Sequence, residues 1–82
     1  MQGATIKITI LSPERTLFSG EATRVSLPGG KAPFMVLHNH APLISTLQKG
    51  VISWDGADSG SVAVLCGFVE VKNNEVTACV EV

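Results

Sequence analysis

Charged side chains are scarce in this sequence. Six of its 82 residues are Lys or Arg and seven are Asp or Glu, together 16% of the chain, against about 25% in an ordinary soluble domain. Hydrophobic residues make up 45%, so this small domain has few charges to cover a relatively large surface. Because large exposed apolar patches are rare on soluble monomers, we expect other proteins to cover part of it. The alternative is a β domain rich in small residues that tolerates an apolar surface.

Three further absences exclude classes of function. The net charge is −1 and no run of Lys or Arg exists, which argues against a nucleic-acid partner, since that binding depends on neutralising phosphates. No apolar stretch approaches the roughly 20 residues that a spanning helix needs, so we expect no direct membrane insertion. The segment from Met1 to Thr5 lacks the basic residues and apolar core of a signal peptide. We therefore expect a chain that works in the cytoplasm.

Apolar and polar residues alternate with a period of two, which is typical of β-strands. Ile6, Ile8 and Ile10 alternate with polar residues, and Val25 and Leu27 do so in a second strand. Turn signals separate about seven to ten such short strands, and no helix of useful length is indicated. The pattern predicts an all-β sandwich or barrel forming a single domain over residues 1–82.

Two later segments lead to more specific strand predictions. Residues Val62 to Cys66 and Phe68 to Val71 are predicted to form one strand with Gly67 inside it. If Asn73 and Asn74 are the central residues of the last turn, Val71 lies opposite Val76, and this face of the hairpin is apolar and belongs to the core.

The two cysteines lie on the opposite face of the same hairpin. In this register Cys66 faces Glu81 and Cys79 faces Phe68, so the two sulfurs are diagonal neighbours with Cα atoms about 7–8 Å apart. A disulfide requires a shorter separation. We predict two free thiols.

The segment His38-Asn39-His40 contains both histidines. On an extended chain their Cα atoms lie about 6.5–7 Å apart on one side, and a cupin-like protein could use such a pair for a metal. The residues after His40, Ala41 to Ile44, include no carboxylate and the chain has no third histidine, whereas a stable site needs at least three protein ligands. We therefore predict loop histidines whose ring nitrogens bond backbone carbonyls, and no metal or cofactor.

The sequence contains no convincing catalytic constellation. Cys66 lies inside a predicted strand, where thiols are usually inert, and the carboxylates are scattered. Gly29-Gly30-Lys31 lacks the spacing of a phosphate loop. We predict no catalytic residue and favour a non-enzymatic interaction role.

Six short motifs follow one another along nearly the whole chain. They are Ser12-Pro13-Glu14-Arg15, Phe18-Ser19-Gly20, Val25-x-Leu27-Pro28-Gly29, Phe34-x-Val36-Leu37-x-x-His40-Ala41-Pro42-Leu43, Leu47-x-x-Gly50 and Gly67-Phe68-Val69-Glu70-Val71-x-Asn73-Asn74-x-Val76. In this order and spacing they resemble the N-terminal β-sandwich of the epsilon subunit of the F-type, proton-translocating ATP synthase. The resemblance implies two packed five-stranded sheets, a β-sandwich of about ten short strands.

The resemblance also implies a role in the central stalk, or rotor. In that family one surface of the sandwich binds the gamma subunit and another rests on the polar loops of the membrane c-ring. The domain couples ring rotation to gamma during proton-driven ATP synthesis and is not itself catalytic. Its expected location is peripheral, on the cytoplasmic side of the bacterial inner membrane, within the synthase complex.

The family contact with the c-ring corresponds here to Gly30, Lys31, Ala32 and Pro33. Family members usually have acidic and glycine residues in this segment, and this chain departs from that pattern. We expect the ring of this organism to carry a compensating change, such as an acid facing Lys31.

The family segment near gamma corresponds to His40, Ala41, Pro42 and Leu43. Pro42 and Leu43 are expected to form a rigid apolar edge, and His40 is expected to order the corner by hydrogen bonds. We expect Leu43→Asp to weaken gamma binding more than it unfolds the domain.

Most family members continue into two C-terminal helices that can extend along gamma, inhibit ATP hydrolysis and, in some cases, bind ATP. This sequence stops at Val82, where the sandwich ends. If these residues are the whole protein, we expect no C-terminal helical domain and no inhibition by such helices. A small cytoplasmic β-sandwich interaction module unrelated to the rotor, and a cupin-like metal protein, are the alternatives.

Overall fold

The computed structural model describes residues 5–82 as strands, turns and connecting segments. Residues 1–4 lie outside the described residues. They include most of the segment from Met1 to Thr5 that was predicted not to be a signal peptide. The strands are β1 (Ile6–Leu11), β2 (Thr16–Ala22), β3 (Arg24–Leu27), β4 (Phe34–Leu37), β5 (Leu43–Leu47), β6 (Gly50–Asp55), β7 (Gly60–Val64), β8 (Cys66–Lys72) and β9 (Glu75–Glu81).

These strands form two sheets, ordered β2-β1-β9-β8-β5 and β4-β3-β6-β7. Neighbouring strands are antiparallel except for β1 and β9, which are parallel. The predicted two-sheet β-sandwich is confirmed, with five strands in one sheet and four in the other over the described range. Between β3 and β4 the chain contributes a single bridge, Gly29 to Leu47. Pro28 and Pro33 flank that segment and have no amide proton to donate to a ladder.

The core lies between the inward faces of the two sheets and follows the period-two pattern. Ile6, Ile8 and Ile10 are each at most 1% exposed, and burial of such a side chain contributes about 1.5–3 kcal/mol. At one side of the core the Phe18 ring of β2 stacks on the Trp54 ring of β6, with centroids 4.4 Å apart. The two sheets therefore pack through apolar contacts, and no polar or charged side chain is buried among residues 5–82.

The predicted register of the last hairpin is confirmed. Val71 pairs with Val76 across β8 and β9, and all the pairs of this ladder follow the same register. Cys66 and Cys79 are free thiols, as predicted. Asn73 and Asn74 form the turn with φ angles of 52° and 60°, a left-handed conformation that asparagine tolerates better than most residues.

The single strand predicted from Val62 to Val71 is wrong. The chain leaves the four-stranded sheet after β7 and enters the five-stranded sheet at β8, with Leu65 between them. Gly67 lies at φ +156°, and a Cβ there would collide with the carbonyl oxygen of Cys79. A continuous apolar run has the same appearance whether a strand continues or changes sheet, because both sheets bury such residues.

Candidate interaction surfaces

The segment predicted to meet the c-ring forms a loop at one end of the sandwich, and its four residues, Gly30, Lys31, Ala32 and Pro33, are exposed. Backbone hydrogen bonds anchor the base of this loop to the end of β5. The Gly30 amide donates to the Thr46 carbonyl at 3.0 Å, and the Gln48 amide donates to the Pro28 carbonyl at 2.9 Å. The loop is thus exposed to solvent, and the hydrogen bonds at its base connect the end of β3 in one sheet to the end of β5 in the other.

The loop closes over Gly29, which is buried. A Cβ atom at Gly29 would lie 2.5 Å from the Ala32 carbonyl oxygen and 2.8 Å from Cδ1 of Phe34. Atoms do not approach this closely without a shift, and one of these contacts is with backbone. The loop therefore requires glycine at this position because of space, rather than because of backbone conformation.

The segment predicted to meet gamma forms a corner between β4 and β5. The His40 amide donates to the Leu37 carbonyl at 3.1 Å, and the His40 ring nitrogen Nδ1 lies 2.7 Å from the Ala41 carbonyl oxygen. The predicted bond from a histidine ring to a backbone carbonyl is thus confirmed for His40. The extended geometry assumed for the two histidines is wrong, because His38 and Asn39 form a turn with Asn39 at φ 64°.

The four residues of this corner differ in exposure. Ala41 and Pro42 are exposed and His40 is half-buried. Leu43 is also half-buried, and its side chain packs against the core. The next residue, Ile44, is 75% exposed, so a substitution at Leu43 changes both the surface and the packing, whereas one at Ile44 changes mainly the surface.

The loop and the corner lie at opposite ends of strand β4. Phe34 pairs with Leu27 at the loop end, and Leu37 pairs with Arg24 at the corner end. A four-residue strand spans about 10 Å. The two predicted contact segments are therefore separated along the strand direction and face different ends of the sandwich.

Asn39 and Asn74, whose contact the sequence did not indicate, lie beside the corner. The Asn39 amide donates to Oδ1 of Asn74 at 2.6 Å, although the two residues are 35 positions apart in the chain. Their sequence signal was limited to turn propensity, which does not indicate contact between two separate turns.

Several large apolar side chains are exposed. They show where the apolar surface inferred from the composition lies. Met35 and Leu37 lie on the edge strand β4, and Ile44 and Phe68 lie on the outer face of the five-stranded sheet. At the loop end, Val51, Leu65 and Val82 line one apolar groove. The exposed apolar residues are therefore spread over three areas rather than gathered in one pocket.

The described residues offer little for metal chemistry or charge networks. Within residues 5–82 no group of three His, Cys, Asp or Glu side chains is placed to hold a metal ion. Arg24 and Asp55 form an ion pair across β3 and β6 at 2.5 Å, with both side chains about half exposed. The described residues contain no helical segment that could span a bilayer.

A family profile described as "ATP synthase, Delta/Epsilon chain, beta-sandwich domain" matches residues 5–82. The chain belongs to this family. It is 36% identical over 78 residues to the ATP synthase epsilon chain of Leptospira interrogans serogroup Icterohaemorrhagiae serovar copenhageni, covering 94% of this chain and 61% of that one. It is 42% identical over 74 residues to the ATP synthase epsilon chain of Desulfitobacterium hafniense strain DSM 10664 / DCB-2, covering 89% and 56%. The delta/epsilon sandwich described here thus spans about three-fifths of the length of these curated relatives.

Solved structures of mitochondrial ATP synthases contain the same fold. The sandwich superposes with a TM-score of 0.86 on a chain of the Euglena gracilis OSCP/F1/c-ring assembly, covering 95% of this chain and 51% of that one. With a chain of the Tetrahymena thermophila central stalk/c-ring assembly the TM-score is 0.78, covering 94% and 63%. Identity is 15% in both cases, so these likenesses establish the fold alone. The family inferred from six sequence motifs is confirmed by the profile and the epsilon-chain relatives.

Proposed function

We propose that this domain is a non-catalytic rotor component of an F-type ATP synthase that couples the c-ring to the gamma subunit. The observation that carries the proposal is the match of residues 5–82 to the delta/epsilon sandwich family, with epsilon chains as relatives. The domain would be held peripherally in the complex, on the cytoplasmic side of the membrane.

The arrangement of the two exposed segments supports a coupling role. The loop Gly30–Pro33 and the corner His40–Leu43 lie at opposite ends of β4, so two partners could bind without competing for the same surface. Each end is hydrogen-bonded to the five-stranded sheet, through Thr46 or through Asn74. A closely packed core is stiff and transmits strain, which suits a part that carries torque.

The principal test is binding to gamma followed by mapping of the protected face. The whole chain is co-purified with the gamma subunit of the same organism, and amide hydrogen exchange is compared with and without gamma. The proposal predicts a stable complex with slower exchange at the corner and at Ile44. Failure to bind gamma, or protection confined to other surfaces, would contradict the proposal.

We further propose that Lys31 faces an acidic side chain on a c-ring loop. Lys31 is exposed at the tip of the loop, where an opposite charge would raise the association rate and fix the orientation of the complex. Lys31→Glu should weaken binding to isolated c-ring at low salt, and the difference should shrink at high salt because exposed charges are screened. Lys7→Glu, the same charge change on the exposed outer face of β1, is the control. Unchanged ring binding by Lys31→Glu would count against this contact.

A further inference from the structure

The corner and the last hairpin are joined by two hydrogen bonds between Asn39 and Asn74. The Asn39 backbone amide donates to Oδ1 of Asn74 at 2.6 Å. The Nδ2 group of Asn74 donates to Oδ1 of Asn39 at 3.3 Å. We call these two bonds the Asn39–Asn74 clasp. It ties the turn after β4, in one sheet, to the turn between β8 and β9, in the other.

The orientation of the Asn74 amide group follows from its partners. A backbone amide can only donate, so the side-chain atom facing the Asn39 amide must be the oxygen. The nitrogen of Asn74 then faces the Asn39 carboxamide oxygen, which accepts. The backbone carbonyl of Asn74 also accepts from the Lys7 amide at 2.9 Å. Asn74 therefore connects the first strand, the last hairpin and the corner.

The clasp contacts the residue that shapes the corner. Asn39 has φ 64°, and the next amide, that of His40, closes the turn on the Leu37 carbonyl. A left-handed conformation costs free energy, although less for asparagine than for most residues, and contacts that hold it offset that cost. The bond to Asn74 supplies such a contact from an independent part of the fold.

We propose that the Asn39–Asn74 clasp is a positioning device that presets the corner for its partner. This inference rests on the proposed function, in which the corner binds gamma. A segment ordered before binding loses less conformational entropy on association, so the clasp should strengthen gamma binding without contacting gamma. Asn39 and Asn74 are thus positioning residues, and the contact itself belongs to His40–Leu43 and Ile44.

Three glycine substitutions and one conservative change test the clasp. Asn39, Asn73 and Asn74 all have positive φ, so glycine preserves the backbone at each of them. Asn74→Gly removes both bonds, whereas Asn39→Gly removes only the longer one. Asn73→Gly is the matched control, because it lies in the same turn and its side chain makes no hydrogen bond to residues 5–82. Asn74→Asp keeps the acceptor for the Asn39 amide and loses the Nδ2 donor.

The measurements are amide exchange at Asn39 and His40 in the whole chain, and its affinity for gamma. A hydrogen bond of this kind corresponds to a change of about three- to tenfold. We expect Asn74→Gly to speed exchange and weaken gamma binding by about that factor, and Asn39→Gly to do so less. Asn74→Asp should keep most of the protection and affinity, because the Asn39 carboxamide can turn over and donate its Nδ2 to the new carboxylate oxygen. Asn73→Gly should resemble the unmodified chain.

The outcomes separate this inference from the proposed function. If the unmodified chain binds gamma but Asn74→Gly binds equally well, the positioning role is wrong and the proposed function stands. If Asn74→Gly and Asn73→Gly exchange alike at His40, the clasp does not hold the corner. If the unmodified chain fails to bind gamma, the proposed function is overturned, and the link from clasp to binding with it.

Discussion

The two ends of strand β4 are attached to the five-stranded sheet by different kinds of bond. At the loop end the bonds join backbone groups, from Gly30 to Thr46 and from Gln48 to Pro28. At the corner end the connection runs through the side chain of Asn74. A backbone anchor survives any side-chain change that fits the space, whereas an amide anchor depends on the identity of one residue. The loop end should therefore be sensitive to added volume, and the corner end to lost hydrogen-bonding groups.

The largest effect is expected from Gly29→Ala at the loop end. The new methyl group would lie 2.5 Å from the Ala32 carbonyl oxygen, and overpacking of this kind costs about 1–3 kcal/mol. Urea unfolding of the variant should show a lower midpoint with little change in slope. Ala32→Ser, an exposed change in the same loop, is the control. A stability equal to that of the original chain would show that the loop moves freely and that volume does not limit this end.

At the corner end, Leu43→Asp and Ile44→Asp should separate packing from binding. Leu43 packs against the core whereas Ile44 is 75% exposed. We expect Leu43→Asp to lower stability by about 1–2 kcal/mol, since it removes core contacts, and Ile44→Asp by less than about 0.5 kcal/mol. Both variants should bind gamma more weakly. Gamma affinity and the thermal unfolding temperature are measured for each variant. Normal gamma binding by a folded Ile44→Asp variant would exclude this face from the interface.

The Arg24–Asp55 ion pair near the corner end should contribute less. Both side chains are about half exposed, and exposed ion pairs contribute about 0–1 kcal/mol. Asp55→Asn is expected to change the unfolding free energy by less than about 1 kcal/mol, and by less still at high salt. The hydrogen bonds that the Thr23 amide and hydroxyl donate to the Asp55 carbonyl are untouched by this change. A loss above this range that shrinks at high salt would mean that this ion pair stabilises the corner end more than its exposure predicts.

The smallest effect is expected from Thr46→Val at the loop end. The Gly30 amide bonds the backbone carbonyl of Thr46, which valine keeps, and valine suits an exposed strand position. The unfolding free energy should change by less than about 0.5 kcal/mol. Together with Asn74→Gly, this variant tests the comparison directly. If Thr46→Val lowered the unfolding free energy more than Asn74→Gly did, the loop end would depend on a side chain more than the corner end does, and the comparison would be wrong.

Sequence reasoning was most successful where the alternation of apolar and polar residues determines which face of a strand is buried. The alternation of Ile6, Ile8 and Ile10 predicted a buried face that the structure confirms, and the Val71–Val76 register was correct. In each case the residues that must be buried alternate with those that need not be, so a slip of one residue would expose the core. The family followed from motifs spread along the whole chain.

Reasoning from the sequence failed where two distant segments meet. The change of sheet at Leu65 lies inside an unbroken apolar run. The burial of Leu43 depends on what packs over it, and the contact of Asn39 with Asn74 joins residues 35 positions apart. None of these has a local pattern, since each arises from the way the two sheets close on each other.

The sequence by itself determined that this chain is an all-β domain with alternating core faces, because period-two patterning and turn chemistry are local properties. Its family followed from the resemblance carried by six motifs along the chain. Only the tertiary structure decided that the loop and the corner lie at opposite ends of β4. It also decided that backbone groups anchor the loop, whereas hydrogen bonds between Asn39 and Asn74 anchor the corner. The physical reason is that hydrogen bonds between separate turns depend on distances that close packing of the core sets, and no spacing along the chain encodes them.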